Sequence, residues 1–229
     1  KNKFSGPFGL FSSISMYQSH HISSVEGGLI LTDNNYYADI LRSMRANGWL
    51  REVTNEKIRK KFISENKNID QSFMFPYIGF NLKPTDMAAA LVLKQIDKLN
   101  SFISIRQKAA KNLISGLKKY NKFLILPQNI NNIKNSWFTF PITVKPNNKF
   151  NKNELVDFLT KKKIANRPII AGNIAEQPFL KKFKFKNSIL KNSKLIMKSG
   201  FFIGLHHKLY KKNTNYILSV FNTFFKNKI

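Results

Sequence analysis

Three features of the sequence predict an α/β fold. Short apolar runs are bounded by turn residues, segments with apolar residues at helical spacing lie between them, and a long helical stretch after Pro84 leads into a smaller unit of different pattern. The first apolar run, Phe11 to Met16, reads as a short buried strand, and the loop Tyr17 to Val25 follows it. Gly27-Gly28 then turns the chain into a second strand, Leu29 to Thr32. Thr32-Asp33 can cap a helix over Asn35 to Met44, whose Tyr37, Ile40, Leu41 and Met44 recur at helical spacing. Glu52 to Ser72 is polar and weakly periodic and reads as a mobile surface excursion. Order returns over Phe73 to Phe80.

Pro84 at an early helical position, with Thr85-Asp86 beside it, opens a helix expected to run to Tyr120. Met87, Leu91, Ile96, Leu99, Ile103 and Leu113 supply its apolar faces, with a kink or break expected near Asn100-Ser101. Beyond Asn121, strands are expected over Phe123 to Leu126, Trp137 to Val144 and Phe201 to Leu205, and partly extended chain over Ile164 to Ile170. Helices are expected over Asn153 to Lys163, Ile189 to Lys198 and Asn213 to Phe225. The predicted organisation is residues 1–84 as the last part of a larger domain, 85–120 as a connecting helix, and 121–229 as a small C-terminal α/β domain.

The 229 residues are enough for a real core. The chain opens on Lys1 within what reads as an element, so a fragment of a longer protein is expected. With no cysteine, disulfides, thiolate metal sites and a cysteine nucleophile are excluded, and the composition fits a reducing compartment. No apolar run reaches the roughly 18 residues of a membrane span, so no membrane partner is expected. The formal charge of +27 raises a polyanion-binding surface as one reading. Nearly all of it is lysine, however, spread along the chain as at Lys60-Lys61, Lys118-Lys119 and Lys211-Lys212. Arginine, whose planar fork suits phosphates and bases, is scarce. Solvated faces are therefore the expected role of the lysines, and no nucleic-acid partner is expected.

The chemistry concentrates in Ser15-Met16-Tyr17-Gln18-Ser19-His20-His21-Ile22-Ser23-Ser24-Val25-Glu26-Gly27-Gly28. This run resembles the cofactor loop of the pyridoxal phosphate (PLP)-dependent sugar aminotransferases and dehydratases of the DegT/StrS type, S-F-x-x-(T/A)-K-N-x-x-x-G-E-G-G. His20 stands where most of that family has the cofactor-binding lysine. Further stretches resemble the family in order along the chain: Arg45 to Trp49 (R-A-x-G-W), Gly79 to Met87 (G-Y-N-x-(R/K)-x-x-(D/E)-M), Ser136 to Phe140 (S-W-F-G-F), Arg167 to Asn173 (R-P-I-x-x-G-N) and Phe201 to Gly204. Met16 and Phe80 depart from the family's usual aromatic and tyrosine.

The resemblance implies the PLP-dependent transferase fold type I, here a partial large domain plus the smaller C-terminal domain. It also implies a noncovalently bound pyridoxamine phosphate (PMP), interconverting with PLP. The reaction implied is C3 dehydration of a nucleotide-linked 4-keto-6-deoxy sugar for dideoxysugar and O-antigen biosynthesis, with L-glutamate restoring the amine. Lysine would capture the cofactor covalently, whereas imidazole moves protons near neutral pH without doing so. His20 is thus the implied catalytic base. Ser15 is the implied contact to the cofactor phosphate. Asn81 is the implied contact to the phosphate in the partner subunit of a homodimer, although an asparagine after Gly79 is equally a turn former. Arg167 is a candidate for the sugar diphosphate or a carboxylate, with a surface ion pair as its other reading. Glu26 is expected to brace the loop, and Trp49 and Trp137 to be buried. His206-His207 define no metal site by spacing alone, and none is expected. A CDP-sugar branch with the same histidine carries cysteines for an iron–sulfur cluster, so the cysteine-free chain favours a GDP-sugar. The resemblance places the enzyme in the cytoplasm. It also implies that this segment alone is inactive, because the acidic partner of the cofactor ring lies in the family's preceding portion. The alternatives are a sugar aminotransferase and a non-catalytic basic polyanion-binding fragment.

Overall fold

The computed structural model describes residues 8–128, 133–183 and 190–228. Lys1 and Ile189, both used in the expectations above, lie outside the described residues. The chain divides into two units, the first ending at Lys98 and the second starting at Leu99.

In the first unit β1 (Ser12–Ser15) pairs antiparallel with β2 (Gly28–Leu31), Ser15 opposite Gly28. The first strand is not the buried one expected: Ile14 is exposed, and so are Leu29, Ile30 and Leu31 of the second strand. Among the described residues these strands pair only with each other, and a two-stranded ribbon has little surface to bury. Helix α1 (Asn35–Met44) is capped by Asn34, not Thr32-Asp33. The Asn34 side chain accepts the N–H groups of Tyr36 and Tyr37 at 2.9 and 3.2 Å.

The polar stretch expected to be an excursion contains α2 (Glu56–Glu65), capped by Asn55. Ile58, Phe62 and Ile63 place three apolar groups on one side of α2, and they pack on a small cluster of Leu50, Val53 and Met74. Three apolar positions in ten residues were too few to stand out against the lysines around them. The first unit closes with α3 (Asp86–Ile96), whose N-cap is Thr85, leaving Pro84 just outside the helix. The single helix expected from Pro84 to Tyr120 is two helices, interrupted at Asp97 and Lys98 rather than near Asn100-Ser101.

The second unit is a four-stranded antiparallel sheet in the order β3 (Leu124–Ile125), β4 (Thr139–Val144), β6 (Gly200–Gly204), β5 (Asn166–Pro168). Four helices accompany it: α4 (Leu99–Leu117), α5 (Lys152–Lys161), α6 (Lys191–Ser199) and α7 (Lys211–Lys226). Helix α4 buries Arg106, Ala109, Ala110, Leu113 and Leu117, one stripe at helical spacing. Helix α7 buries Ile217, Val220, Phe221, Phe224 and Phe225. These stripes meet Phe140, Ile142, Phe201 and Ile203 of the central strands in one continuous core. Gly116 lets α4 approach α7, since a Cβ there would fall 2.5 Å from Leu218 Cδ2. Trp137 joins the core, and Trp49 lies half-buried against Phe73 and Phe75, its Nε1–H donating to the Ser72 carbonyl at 2.7 Å.

Candidate active site

The connection from β1 to β2 carries the sequence-predicted base. It leaves the ribbon through a backbone bond from Met16 N–H to the Gly27 carbonyl (2.9 Å) and is pinched by one from Ser24 N–H to the Met16 carbonyl (2.9 Å). Between these closures the His20 N–H donates to the Tyr17 carbonyl at 2.9 Å, forming a tight turn with His20 and His21 half-buried. Ser15 sits at the last position of β1, exposed, and its Oγ accepts the Tyr17 N–H at 3.3 Å, leaving the hydroxyl proton to donate elsewhere.

A residue far away in the chain holds the loop. The side-chain amide of Gln95 on α3 grips the backbone of Ser23 from both sides: Ser23 N–H donates to Gln95 Oε1 at 3.0 Å, and Gln95 Nε2 donates to the Ser23 carbonyl at 2.6 Å. The Ser24 hydroxyl donates to the Glu26 carbonyl at 2.6 Å, so Glu26 enters the bracing through its backbone. Val25 is held at φ 73°, a conformation that a β-branched residue rarely adopts. Gly27 follows at φ 139°, where a Cβ would fall 2.7 Å from Ser24 Oγ.

Asn81 is positioned by a second device in the same unit. The Arg45–Trp49 and Gly79–Met87 segments, distant in sequence, are locked backbone to backbone. Asn47 N–H donates to the Phe80 carbonyl (2.8 Å), Phe80 N–H to the Met44 carbonyl (2.6 Å) and Leu82 N–H to the Arg45 carbonyl (2.8 Å). Ala46 and Asn81 form an isolated antiparallel bridge, with Asn81 exposed. Two glycines make the approach possible. A Cβ on Gly48, at φ 82°, would fall 1.7 Å from the Tyr77 carbonyl oxygen, and one on Gly79 would fall 2.0 Å from the Gly48 nitrogen.

Beneath this junction Asp39 of α1 is a buried hub. Its Oδ1 accepts from Arg42 Nη1 (2.9 Å), Thr54 N–H (3.0 Å) and the Thr54 hydroxyl (2.7 Å), and its Oδ2 accepts from Asn55 N–H at 2.9 Å. Burial pushes its carboxyl up, but the hydrogen bonds from Thr54, Asn55 and Arg42 outweigh this and hold it below the usual aspartate value. Burial, together with Tyr36 and Asp39, pushes the Tyr77 phenol up. Gln95 acts on the Ser23 backbone 72 residues away and Asp39 on Thr54 and Asn55 15 and 16 residues on, so neither leaves a local sequence pattern.

Arg167 lies in the second unit, exposed on β5 opposite Phe202. Its motif is shaped downstream by Gly172 at φ 62° and by buried Asn173. Asn173 Oδ1 accepts the Ala175 N–H at 3.3 Å, and its Nδ2 donates to Glu176 Oε1 at 3.0 Å. The structure thus brings Ser15 and His20 together on one loop, sets Asn81 in the same unit, and places Arg167 in the other. The Ser15 hydroxyl, with its proton left to donate, suits a phosphate ester held without a covalent bond, and no amine stands between Ser15 and Gly28. Among the described residues no group of histidine, cysteine and carboxylate side chains could hold a metal ion, and no helix is long and apolar enough to cross a membrane.

Residues 1–222 match the DegT/DnrJ/EryC1/StrS aminotransferase family. The chain is 33% identical over 230 residues to the lipopolysaccharide biosynthesis protein RfbH of Salmonella typhimurium, covering 96% of this chain and 52% of that protein. It is 33% identical over 207 residues to GDP-4-keto-6-deoxy-D-mannose 3-dehydratase of Escherichia coli O55:H7, covering 90% of this chain and 52% of that one. The solved E. coli GDP-4-keto-6-deoxy-D-mannose-3-dehydratase with bound hydrated PLP superposes with a TM-score of 0.81 at 31% identity, covering 96% of this chain and 56% of that chain. The chain therefore spans about half the length of these relatives, and its fold is that part of fold type I.

Proposed function

The chain belongs to the DegT/DnrJ/EryC1/StrS aminotransferase family, and from that premise we propose that the whole protein is a PMP-dependent 3-dehydratase of a nucleotide-linked 4-keto-6-deoxy sugar. One observation carries this reading: a histidine, not a lysine, stands at position 20 of the closed loop between β1 and β2. The identity to a GDP-4-keto-6-deoxy-D-mannose 3-dehydratase supports a GDP-sugar as substrate.

The cofactor, when bound, supplies an amine for the C4 ketone and a ring that accepts the released electron pair. Ser15 and, from the partner of a homodimer, Asn81 would hold its phosphate by hydrogen bonds. His20 takes a proton at the cofactor C4′ carbon and delivers one to the departing C3 hydroxyl, which leaves as water. The nitrogen carried to C4 would leave as ammonia when water regenerates the ketone, and with no amine at position 20 to capture the cofactor, L-glutamate could supply the next one. The Gln95 grip on Ser23 limits how far the His20 turn can move, which preserves the imidazole's reach during proton transfer. Arg167 pairs with the sugar diphosphate. We place the enzyme in the cytoplasm and in dideoxysugar biosynthesis, in keeping with the relative named for lipopolysaccharide biosynthesis.

The test is to incubate the full-length protein with PMP, L-glutamate and GDP-4-keto-6-deoxymannose and to follow the sugar by mass spectrometry. Loss of the C3 oxygen is expected, and His20→Asn should abolish it. A product that keeps that oxygen and gains nitrogen at C4 would overturn the dehydratase reading in favour of a transaminase.

A further inference from the structure

Arg106 lies inside the second unit, with 3% of its surface exposed. Its Nε and Nη1 are buried and have no hydrogen-bond partner among the described residues. A guanidinium cannot shed its charge as a lysine can, so it carries an uncompensated positive charge in a low-dielectric site. Such a charge is among the costliest groups a protein can bury unless something anionic meets it.

The surroundings say what could. One turn earlier on α4, on the same face, Phe102 stacks on the His207 ring (centroids 4.0 Å, 17° between planes). His207 in turn lies against His206 at 3.9 Å. The Phe102–His207 stack ties the His206-His207 pair, just beyond β6, to the turn of α4 that precedes Arg106, near enough for the guanidinium charge to act on both imidazoles. His206 Nδ1 accepts the Lys208 backbone N–H at 3.2 Å. That bond fixes the neutral tautomer with its proton on Nε2, so His206 offers an N–H donor. Burial first, and then the positive charges of Arg106 and Lys208, hold His206 below its ordinary pKa; His207 is lowered by burial, His206, Arg106 and Lys208.

We propose that Arg106, His206 and Lys208 form a phosphate-binding site in the second unit, an inference independent of the dehydratase reading. The guanidinium fork supplies two charge-assisted donors from Nε–H and Nη1–H, His206 supplies its Nε2–H, and Lys208 adds a second cation. Two fixed positive charges and no carboxylate among these residues favour a phosphate dianion over a carboxylate monoanion. The ligand is either free phosphate or the diphosphate of a nucleotide.

The test is calorimetry and imidazole NMR on the full-length protein titrated with inorganic phosphate, GDP and glutamate at constant ionic strength. The chain has four histidines, so the spectrum is simple to assign. Saturable phosphate binding that shifts the His206 and His207 resonances is expected. Arg106→Met should weaken it by at least ~10-fold. Arg106→Lys, which keeps the charge but loses the fork, should weaken it by less, and the distant Lys119→Gln should leave it unchanged. His206→Leu removes one donor without touching the buried charge and should also weaken binding, which keeps the test decisive if Arg106→Met does not fold. Tighter binding of GDP than of phosphate, lost in Arg106→Met, identifies the diphosphate as ligand; equal binding identifies free phosphate. The proposal is overturned if the wild-type protein binds no phosphate saturably, if Arg106→Met and His206→Leu bind it as well as wild type does, or if glutamate binds more tightly than phosphate.

Discussion

The two units keep their shape by different means. In the second, the sheet and helices α4, α5 and α7 close over phenylalanines of which Phe140, Phe201, Phe221 and Phe225 are fully buried. In the first, the β1–β2 ribbon is exposed, a small apolar cluster of Leu50, Val53 and Met74 is described, and backbone bonds, close glycine contacts and the Asp39 hub hold the segments around it. The loop with the proposed base buries Met16 and Ile22 and is closed by directional hydrogen bonds and steric contact around them. That makes its geometry specific, because hydrogen bonds have direction, and sensitive to single atoms that a core would absorb.

The sharpest way to break this contrast is to delete one buried ring in the second unit. Phe221→Ala removes a side chain with no exposure from the face of α7 against the sheet and should cost about 3–5 kcal/mol in urea unfolding. The matching change in the first unit, Ile30→Ser on the ribbon, alters a residue that is 57% exposed and should stay within about 0.5 kcal/mol. Equal losses from the two would mean that the ribbon carries apolar stabilisation that its exposure does not reveal.

Next in size is a change that adds an atom where the first unit has no room. Gly48→Ala places a methyl 1.7 Å from a backbone oxygen, and a backbone cannot swing aside as a side chain can. Together with the positive φ, this should cost at least ~2 kcal/mol and free the segment around Asn81. Hydrogen exchange should show lost protection at Asn47, Phe80 and Leu82, whose N–H groups make the junction, with the second unit's core amides unaffected.

The contrast also explains how much could be read in advance. Strands β4 and β6 and helices α5 and α7 were legible within a few residues, because a closed core imposes a regular apolar period on every element that faces it. The loop around His20 was legible through its motif, not its period. What escaped notice is long-range and polar. Gln95 grips a residue 72 positions away, and Asp39 serves Thr54 and Asn55. Arg106 occupies a position in the α4 stripe where an apolar residue would have been expected. Helix α2 is hard to see in the sequence because its apolar side is three residues wide, and the Phe11–Met16 run reads as buried from Phe11, Ile14 and Met16, of which only Met16 is.

The Asp39 hub yields a pH dependence with a definite sign. Hydrogen bonds from Thr54, Asn55 and Arg42 hold its carboxyl below the usual aspartate range in the folded protein, against the upward push of burial. A depressed pKa means that its contribution is complete above the unfolded value and is lost as the pH falls through the folded one. Asp39→Asn should therefore cost about 1–3 kcal/mol at pH 7, since the buried N–H groups of Thr54 and Asn55 lose a charged acceptor. The gap between wild type and variant should narrow as the pH drops below that of a free aspartate. A gap that stays constant down to acid denaturation would mean that Asp39 acts through shape and not charge.

The smallest expected effect concerns the loop that the proposed chemistry needs most. Gln95→Ala removes both hydrogen bonds to Ser23, one to its N–H and one to its carbonyl. Each is a neutral bond worth about 0.5–1.5 kcal/mol net, and the freed backbone groups can turn to water, so global stability should fall by no more than ~1–2 kcal/mol. The local result should be larger than the global one. Exchange at the Ser23 amide should quicken, and in the full-length enzyme kcat should fall more than KM rises, because the His20 turn would sample more positions around the reacting proton. Gln95→Glu keeps an acceptor for the Ser23 N–H but loses the donor to the Ser23 carbonyl, and it should fall between Gln95→Ala and the native residue. If both variants match wild type in Ser23 exchange, the loop is held by its own backbone bonds, and the division of labour between the two units extends to the His20 turn itself.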